Sequence, residues 1–565
     1  MELLIAIVAG MIIFIIYSIY QEKNHKRLLM IRLKEQWGAV PTQEYTSEMF
    51  ESLRAYYLSI RNDQTDVDDI TWNDLDMDDI YLLMNNTQTS IGEEYLYAFL
   101  RKPSFSKEDL EERNRLMKFF TANEEKRLIV QTKLHPIGKQ TVISVYEYIN
   151  RLGEKEVKSN IPHYLMVLGL LASIGIIFIY PPVGGVLTLA MIVNNIMQYY
   201  KEKAQIENYL MLVAYIYRLL DGARAIYQMN IPEIKTYTDT LKKDCATFNT
   251  FQKGSSWVTP KNPSGDFFSA VLDYVRMLTH IDLIKYNQLL RFFKNNRDTL
   301  NRIYTNIGFL DAIIAAASFR ELIPYYCEPV LSLLPKHVAN REDKPGISTE
   351  ELYHPLIGQP IANSISENRS VLITGSNASG KSTFIKTLAI NAILAQTIYT
   401  STSKSYRGSY FMIYSSMALR DNLFNKESYY MVEIKSLKRI LNVINEDIPV
   451  LCFIDEVLRG TNTLERIAAS SRILADIARK NALVFAATHD IELTLILEKH
   501  YSNYHFQERI EDNEVLFDYK LYEGKAVSKN AIKLLDMLKF PKEITTAAEA
   551  CAEEFLVSGE WSRID

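Results

Sequence analysis

The stretch Gly375-Ser-Asn-Ala-Ser-Gly380-Lys381-Ser382-Thr383 decides the fold of this chain. It follows the apolar run Val371-Leu372-Ile373 and precedes a helix-like run from Phe384 to Leu394. Glycines between a strand and a helix let the backbone curl, so that its N–H groups and the helix N-terminus face phosphate oxygens. The sequence therefore predicts a nucleotide-phosphate loop.

The loop contributes most of the predicted ATP-binding residues. Lys381 is placed to reach the outer phosphates, and the Ser382 hydroxyl is placed to hold Mg²⁺. A simple Gly/Ser turn is the structural alternative. The loop residues predicted to bind ATP are Gly375, Ser376, Asn377, Ala378, Ser379, Gly380, Lys381, Ser382 and Thr383.

Two further apolar runs end in residues that suit phosphate chemistry. Val450-Leu-Cys-Phe-Ile454 ends in Asp455-Glu456, and Ala482-Leu-Val-Phe-Ala-Ala487 ends in Thr488-His489. An acid at the end of a buried parallel strand suits Mg²⁺, which assigns Asp455 to the metal with Ser382. Glu456 is the predicted general base, His489 the sensor of the terminal phosphate, and Lys381 the third catalytic residue. A satisfied turn histidine is the alternative for His489.

The alternation of strands and helices over residues 351–520 predicts the fold class. It indicates an α/β P-loop NTPase domain, ABC-like, with a mostly parallel sheet. Residues 521–565 are predicted to form an edge strand and a helical dimerisation tail. Periodic apolar stripes predict a long all-α core or lever from residues 70–158 and 201–350, and residues 23–69 are a connector.

Composition limits the classes of protein. The chain has 565 residues and a formal net charge of −5, so it does not resemble a strongly basic protein that coats nucleic acid. Its four cysteines have no metal-ligand spacing, which favours a reduced, cytosolic setting.

Two apolar stretches without Asp, Glu, Lys or Arg, residues 3–20 and 159–200, predict three transmembrane helices. Residues 1–22 are predicted as an anchor, and residues 159–200 as a hairpin that turns at Pro181-Pro182. Lysines flank the cytoplasmic ends, so the expected location is the plasma membrane, multi-pass, with the N-terminus outside and the ATPase in the cytoplasm. Membrane lipid is then a partner. A buried helical hairpin in a large core is the alternative.

Several motifs together resemble the MutS family of DNA-repair ATPases. The resemblance covers most of the chain outside the apolar regions and is most specific in the ATPase part. The similar segments are Leu82–Gly92, Tyr353-His354-Pro355-Leu356, the loop with Asn377, Ser428-Tyr-Tyr-Met-Val-Glu433, Asp455-Glu-Val-Leu-Arg-Gly-Thr-Asn-Thr463, Ala487-Thr-His489 and Pro541-Lys-Glu-Ile544.

The resemblance implies site residues and partners beyond those read from the loop. His354 and Pro355 are expected near the adenine of ATP. Ser428 and Asn462 are expected to contact the nucleotide bound by the other subunit, which implies a homodimer. ATP and Mg²⁺ are the implied cofactors, and DNA is the implied partner.

The chain departs from the family pattern at its start. Residues 1–69, which precede the core-like segment, are too few to form the mismatch-reading and connector domains of the family. The sequence also contains no Phe-Tyr-Glu wedge. Because such a wedge tests base steps by intercalation, DNA binding is expected without mismatch specificity.

The sequence thus predicts a membrane-anchored, MutS-like, Mg-dependent ATPase that works as a dimer. ATP hydrolysis would move helical arms in a DNA-linked role such as DNA binding or repair-like sensing at the membrane. The alternative is an ATP-driven mechanical switch that acts on the membrane or a membrane protein partner without DNA. An ABC-type transporter is not favoured, because no L-S-G-G-Q segment occurs. What the cycle moves or senses, and whether turnover needs a partner, stay open.

Overall fold

The structure is a computed structural model whose described residues form two compact units. The first contains Met1–Arg61, Tyr81–Phe99 and Glu112–Leu322; the second contains Asn62–Ile80, Leu100–Glu111 and Ile323–Asp565. The described residues are 2–140, 144–154, 158–249, 274–332, 344–376, 379–417, 429–445, 447–511, 514–526, 532, 535, 540–558 and 561.

The chain up to residue 322 is helical where it is described. Its longest helices are α10, of 47 residues, and α12, of 42 residues, which is kinked at Asn296. The helices are α1 (Glu2–Gln36), α2 (Ser47–Ile60), α3 (Asp69–Asp74), α4 (Met77–Met84), α5 (Ser90–Arg101), α6 (Lys107–Ala122), α7 (Glu124–Leu134), α8 (Val145–Glu154), α9 (Ile161–Ile177), α10 (Pro181–Tyr227), α11 (Lys235–Thr247) and α12 (Ile281–Leu322), with a 3-10 turn at Pro232–Ile234.

A buried carboxylate ties α12 to the start of α5 in the first unit. Asp311 accepts hydrogen bonds from the backbone N–H groups of Gln88, at 3.0 Å, and Thr89, at 2.9 Å, and from the Thr89 hydroxyl at 2.7 Å. Gly92 leaves room for this contact, because a Cβ there would lie 2.2 Å from Asp311 Oδ2. Burial raises the pKa of Asp311 to about 6, although these hydrogen bonds favour its charged form.

The prediction of three transmembrane helices is wrong. Within the described part of the chain, no helix combines the length and the apolar composition that crossing a membrane requires. The predicted multi-pass location in the plasma membrane and the predicted lipid partner both depended on these helices. Neither prediction is retained. The predicted anchor at residues 1–22 lies largely on α1, where the side chains up to residue 15 are outside the described residues.

The apolar region 159–200 folds as a helical hairpin, and its His163 makes a buried polar contact with a residue outside the hairpin. α9 has 17 residues, which span about 26 Å, less than the ~30 Å of a hydrocarbon core. α10 begins at Pro181, where a turn was predicted, and continues past the apolar region to Tyr227. His163 of α9 lies 3.0 Å from His280, Nδ1 to Nδ1, and both rings are buried. The absence of Asp, Glu, Lys and Arg from this region gives no information about the contact between the two histidines.

The second unit is built around a six-stranded sheet. The strand order is β10-β9-β4-β8-β7-β6, and every neighbouring pair is parallel except β10 with β9. The sheet is therefore mixed: its inner pairs are parallel, and its edge pair, β10 with β9, is antiparallel. The strands are β1 (Val330–Ser332), β2 (Ile347–Leu352), β3 (Asn363–Glu367), β4 (Ser370–Thr374), β5 (Ser405–Ser409), β6 (Met412–Ser416), β7 (Val450–Asp455), β8 (Ala482–Ala487), β9 (Tyr501–Glu511) and β10 (Glu514–Glu523).

The strands at the centre of this sheet are buried runs flanked by helices. β4 and β8 are buried at every position, which explains why their sequences are continuous apolar stretches rather than alternating ones. A smaller sheet has the order β1-β5-β2-β3. The helices of this part are α13 (Lys381–Thr397), α14 (Tyr429–Val443), α15 (Thr463–Arg479), α16 (Ile491–Ile496) and α17 (Lys542–Ser558).

The short helix α3 belongs to this sheet unit, although it precedes the helical unit's α5 in the chain. Asp74 accepts hydrogen bonds from the Ser415 hydroxyl at 2.6 Å and from the Met417 backbone N–H at 3.0 Å. Both partners lie at the end of β6. An ion pair between Arg439 of α14 and Asp68 adds a second contact. The edge strand β6 is thus covered rather than exposed.

We expect Asp311→Ala to lower the free energy of unfolding by about 3 kcal/mol, because it leaves buried N–H groups without an acceptor. Chemical denaturation followed by circular dichroism measures the loss. Asp298→Ala is the matched control, since Asp298 lies exposed on the same helix, and it should change the value by less than about 0.5 kcal/mol. Equal losses in both variants would contradict the role given to Asp311.

Candidate nucleotide site

The glycine-rich loop connects β4 to α13 through two residues in left-handed backbone conformations. Gly375 has φ +146° and Gly380 has φ +107°. A Cβ at Gly375 would lie 2.8 Å from the Phe506 carbonyl oxygen, so glycine is required there by space as well as by conformation. Asn377 and Ala378, two of the predicted ATP-binding residues, lie outside the described residues.

Lys381 opens α13 and folds back over the loop. Its Nζ donates to the carbonyl oxygens of Gly375, at 2.8 Å, and Ser376, at 2.7 Å. Burial lowers the pKa of Lys381, while the charges of Asp455, Glu456 and Glu508 oppose this shift. An ammonium tied to two loop carbonyls is poised to exchange them for phosphate oxygens.

Asp455 at the end of β7 provides a candidate metal ligand. It is hydrogen-bonded by the Ser382 side chain, and its Oδ1 is buried without a hydrogen-bond partner among the described residues. Burial raises the pKa of Asp455, and the Ser382 hydrogen bond and Lys381 lower it. Mg²⁺ binds through one or two protein oxygens plus phosphates and water, so a carboxylate oxygen free beside a hydroxyl fits this ion.

Glu456 and His489 meet at the neighbouring strand ends. His489 Nε2 lies 2.9 Å from Glu456 Oε1, and Arg459 Nε donates to Glu456 Oε2 at 2.7 Å. Glu456 has φ +54°, and its N–H donates to the Ala487 carbonyl oxygen at 3.0 Å. A left-handed backbone in a non-glycine residue is a strained arrangement that the strand pairing holds in place.

A small cavity of about 130 Å³ opens beside this carboxylate. Its lining residues are Glu456, Val457, Arg459, Arg466, Thr488, His489 and Asp490.

Glu433 has a structural role in the site that sequence reasoning missed. It lies on α14, is 4% exposed, and accepts the Arg459 backbone N–H at 3.2 Å. The backbones of Leu458 and Gly460 also donate to it. Burial raises the pKa of Glu433. Its sequence signal was its place at the end of the family-like segment that begins at Ser428, which gives no information about its partners.

A second cavity, of about 210 Å³, lies next to Gly380 and suits an apolar ring. His354 lines it, whereas Pro355 is not among its lining residues in the described chain. Aromatic side chains that sequence reasoning missed also line it: Tyr353, Phe384, Phe506 and Tyr519.

Tyr519 reaches this cavity because β10 is irregular. The pairing register of β10 shifts between Phe517 and Leu521, and Tyr519 has φ +53°. Asn363 stabilises the irregularity, since its side chain donates to the Tyr519 carbonyl oxygen at 3.0 Å and accepts the Leu521 N–H at 2.7 Å. Bulges of this kind redirect single side chains next to binding sites.

His354 is held neutral in the folded chain. Its Nδ1 accepts the Leu356 N–H at 3.3 Å, so this nitrogen carries no proton. Burial, with the nearby charge of Lys386, lowers the pKa of His354 to about 4. A neutral imidazole is compatible with a neighbouring uncharged base.

The structure does not test the predicted contact of two residues, Ser428 and Asn462, with the nucleotide of a partner subunit. Ser428 lies outside the described residues. Asn462 caps α15, where its side-chain oxygen accepts the Glu465 N–H at 2.9 Å. Contact with a second copy therefore stays a prediction for both.

The fold and the site define a class: an α/β domain with a glycine-rich strand–loop–helix at the carboxyl edge of a mostly parallel sheet. Comparison with known proteins makes this specific, because residues 371–556 match the family model of MutS domain V. The chain carries a MutS domain V and is related to MutS proteins over part of its length, which confirms the resemblance read from its motifs.

Two relatives show how much of this chain and of a known protein the similarity covers. The DNA mismatch repair protein MutS of Thermotoga sp. (strain RQ2) is 24% identical over 344 residues, which cover 59% of this chain and 41% of that protein. MutS of Thermus aquaticus is 32% identical over 181 residues, 32% of this chain and 22% of that protein. The chain thus matches about two fifths or less of the length of these relatives.

We expect His354→Gln to remove a pH dependence of stability. In the unfolded chain His354 takes its proton near pH 6.5 and in the folded chain near pH 4, so its contribution is present above pH 6.5 and is lost as the pH falls between these values. Between pH 7 and pH 4.5 the wild type should lose about 2–3 kcal/mol more than the variant in denaturant titrations. Parallel losses in both proteins would contradict the neutral His354.

Proposed function

We propose that this chain binds and hydrolyses ATP at the loop between β4 and α13. The observation that carries the proposal is the convergence at one sheet edge of Lys381, Asp455, Glu456 and His489. Asp455 with its free Oδ1 and the Ser382 hydroxyl support a metal-bound triphosphate. The aromatic cavity beside Gly380 supports a purine base next to that triphosphate.

The side chains divide the work of phosphoryl transfer. Lys381 leaves the loop carbonyls and pairs with the outer phosphates, and the loop N–H groups hold the remaining phosphate oxygens. Glu456 accepts a hydrogen bond from the attacking water and orients it in line with the γ-phosphoryl group. His489, already bound to Glu456, reports the terminal phosphate to that carboxylate. Ser382 and Asp455 would hold Mg²⁺, which neutralises charge on the phosphates when bound.

A second copy of the chain completes each site in this proposal. The segment before α14, with Ser428, and the loop before α15, with Asn462, would approach the partner's nucleotide. The match to MutS domain V over residues 371–556 supports this arrangement. Closure and opening of the pair would then move the helical part of the chain, provided that ATP binds the two shapes with different affinity.

The proposed output is linked to DNA. The support is the similarity to proteins named for DNA mismatch repair. Phosphate-backbone contacts, rather than mismatch reading, are the proposed mode of binding, since no wedge tripeptide occurs in the sequence.

We expect Glu456→Gln to keep ATP binding and to slow hydrolysis at least about 100-fold, because the amide cannot accept a proton. Nucleotide affinity by fluorescence and single-turnover hydrolysis measure the two effects. Glu498→Gln is the control, since Glu498 is an exposed acid of the same unit that pairs with Lys525. Hydrolysis by Glu456→Gln at the wild-type rate would refute the role of general base.

We expect DNA affinity to fall steeply with salt. Each neutralised phosphate adds about −0.9 to the slope of log Kobs against log salt concentration, so several contacts give a slope of several units. Fluorescence anisotropy with matched and mismatched duplexes between 50 and 200 mM salt, roughly the range over which such contacts are lost, measures it. Both duplexes should bind alike. Absent or salt-independent binding would remove the DNA link while leaving the ATPase proposal intact.

A further inference from the structure

We propose that the ion pair of Arg459 with Glu456, here called the brake, inhibits the general base Glu456. The brake is released when a second copy of the chain binds at the start of α14. In this resting state the guanidinium holds Oε2 of Glu456, so less of the carboxylate is available to accept a hydrogen bond from water. The inference rests on the proposed function, since it assigns a regulation to the same site. Arg459 is a positioning residue here, because it acts through Glu456.

The first observation is that the Glu456 carboxylate is occupied on both sides. His489 lies at Oε1, at 2.9 Å, and Arg459 Nε lies at Oε2, at 2.7 Å. A general base must place an oxygen within hydrogen-bond reach of the water that it activates. The contact with Arg459 therefore opposes turnover until it is broken.

The second observation is that this contact is weak enough to be broken. The Arg459 side chain is 60% exposed, whereas Glu456 is 19% exposed. An ion pair with one partner in solvent contributes little to stability, because water screens the attraction and the long side chain loses rotamer freedom. Burial does not lock Arg459 onto Glu456, so a small movement of its backbone separates the two groups.

The third observation is a connection from α14 to that backbone. Glu433 accepts the Arg459 N–H, and Leu458 and Gly460 donate to the same carboxylate. Gly460 packs closely on the first turn of α14, where a Cβ on it would lie 3.0 Å from Tyr430 Cβ. A displacement of α14 must therefore move the loop that carries Arg459.

α14 begins at Tyr429, directly after Ser428. The segment expected to meet the partner's nucleotide is thus joined to the helix that holds the brake. Engagement of a second copy would shift α14 and draw Arg459 away from Glu456. Each ATPase site would then hydrolyse ATP only when paired.

Arg466 provides the matched comparison. It lines the same cavity and carries the same charge, but it pairs with Asp490, Nε to Oδ2 at 2.9 Å and a terminal nitrogen to Oδ1 at 2.6 Å. It does not contact Glu456 in the described residues. Replacing it changes the charge of the cavity without freeing the base.

The experiment compares wild type, Arg459→Gln and Arg466→Gln in the full chain. At low protein concentration, Arg459→Gln should raise kcat roughly fivefold, as release of one exposed ion pair permits. Its KM for ATP should be unchanged, because Arg459 touches neither the loop nor the base cavity. Its kcat should also depend less on protein concentration than that of the wild type. Arg466→Gln should not raise kcat.

The outcomes separate the brake from the function on which it rests. An unchanged or reduced kcat in Arg459→Gln, with normal ATP binding, overturns the brake alone. An equal rise in Arg466→Gln also overturns it, because the effect would then come from the field of the cavity. Wild-type protein that binds no ATP overturns the proposed function and the brake with it. A faster Arg459→Gln cannot result from damage to the fold, which would lower the rate.

Discussion

Three buried parallel strands, β4, β7 and β8, are the constraint on which the rest of this domain depends. They lie side by side, with Val371 paired to Phe485 and Phe485 paired to Phe453. Because they are parallel and in register, their carboxyl ends meet at one edge of the sheet. The glycine-rich loop, the Asp455-Glu456 pair and His489 follow these three ends, so chemistry that is distant in the sequence converges in space.

The strand ends also explain where strain and burial concentrate. Glu456 takes a left-handed backbone conformation because its N–H completes the β7–β8 ladder at the Ala487 carbonyl oxygen. Lys381 and Asp455 are held in a buried environment that disfavours both charges, as the directions of their pKa shifts indicate. The charged forms of both side chains become more favourable when a ligand places charges of opposite sign beside them. A triphosphate would do this for Lys381, and its metal ion would do it for Asp455.

The parts of the fold that were predictable from the sequence are those with local signals. The central strands are continuous apolar runs, and the loop has fixed glycine spacing, so β4, β7, β8 and α13 lie where these local signals put them. The aromatic cavity could not be predicted, because Tyr519 enters it only through a register shift in β10. Glu433 was missed because its partners are backbone N–H groups. The membrane prediction failed because composition does not reveal that α9 ends after 17 residues or that His163 pairs with His280.

The most direct test of this account is a structure of the protein with a non-hydrolysable ATP analogue and Mg²⁺. The account predicts that Lys381 Nζ leaves the carbonyl oxygens of Gly375 and Ser376 for phosphate oxygens, that Asp455 Oδ1 gains a partner at the metal, and that the base lies beside Tyr519. A nucleotide bound elsewhere, or a Lys381 still bound to the loop carbonyls with the analogue present, would contradict it.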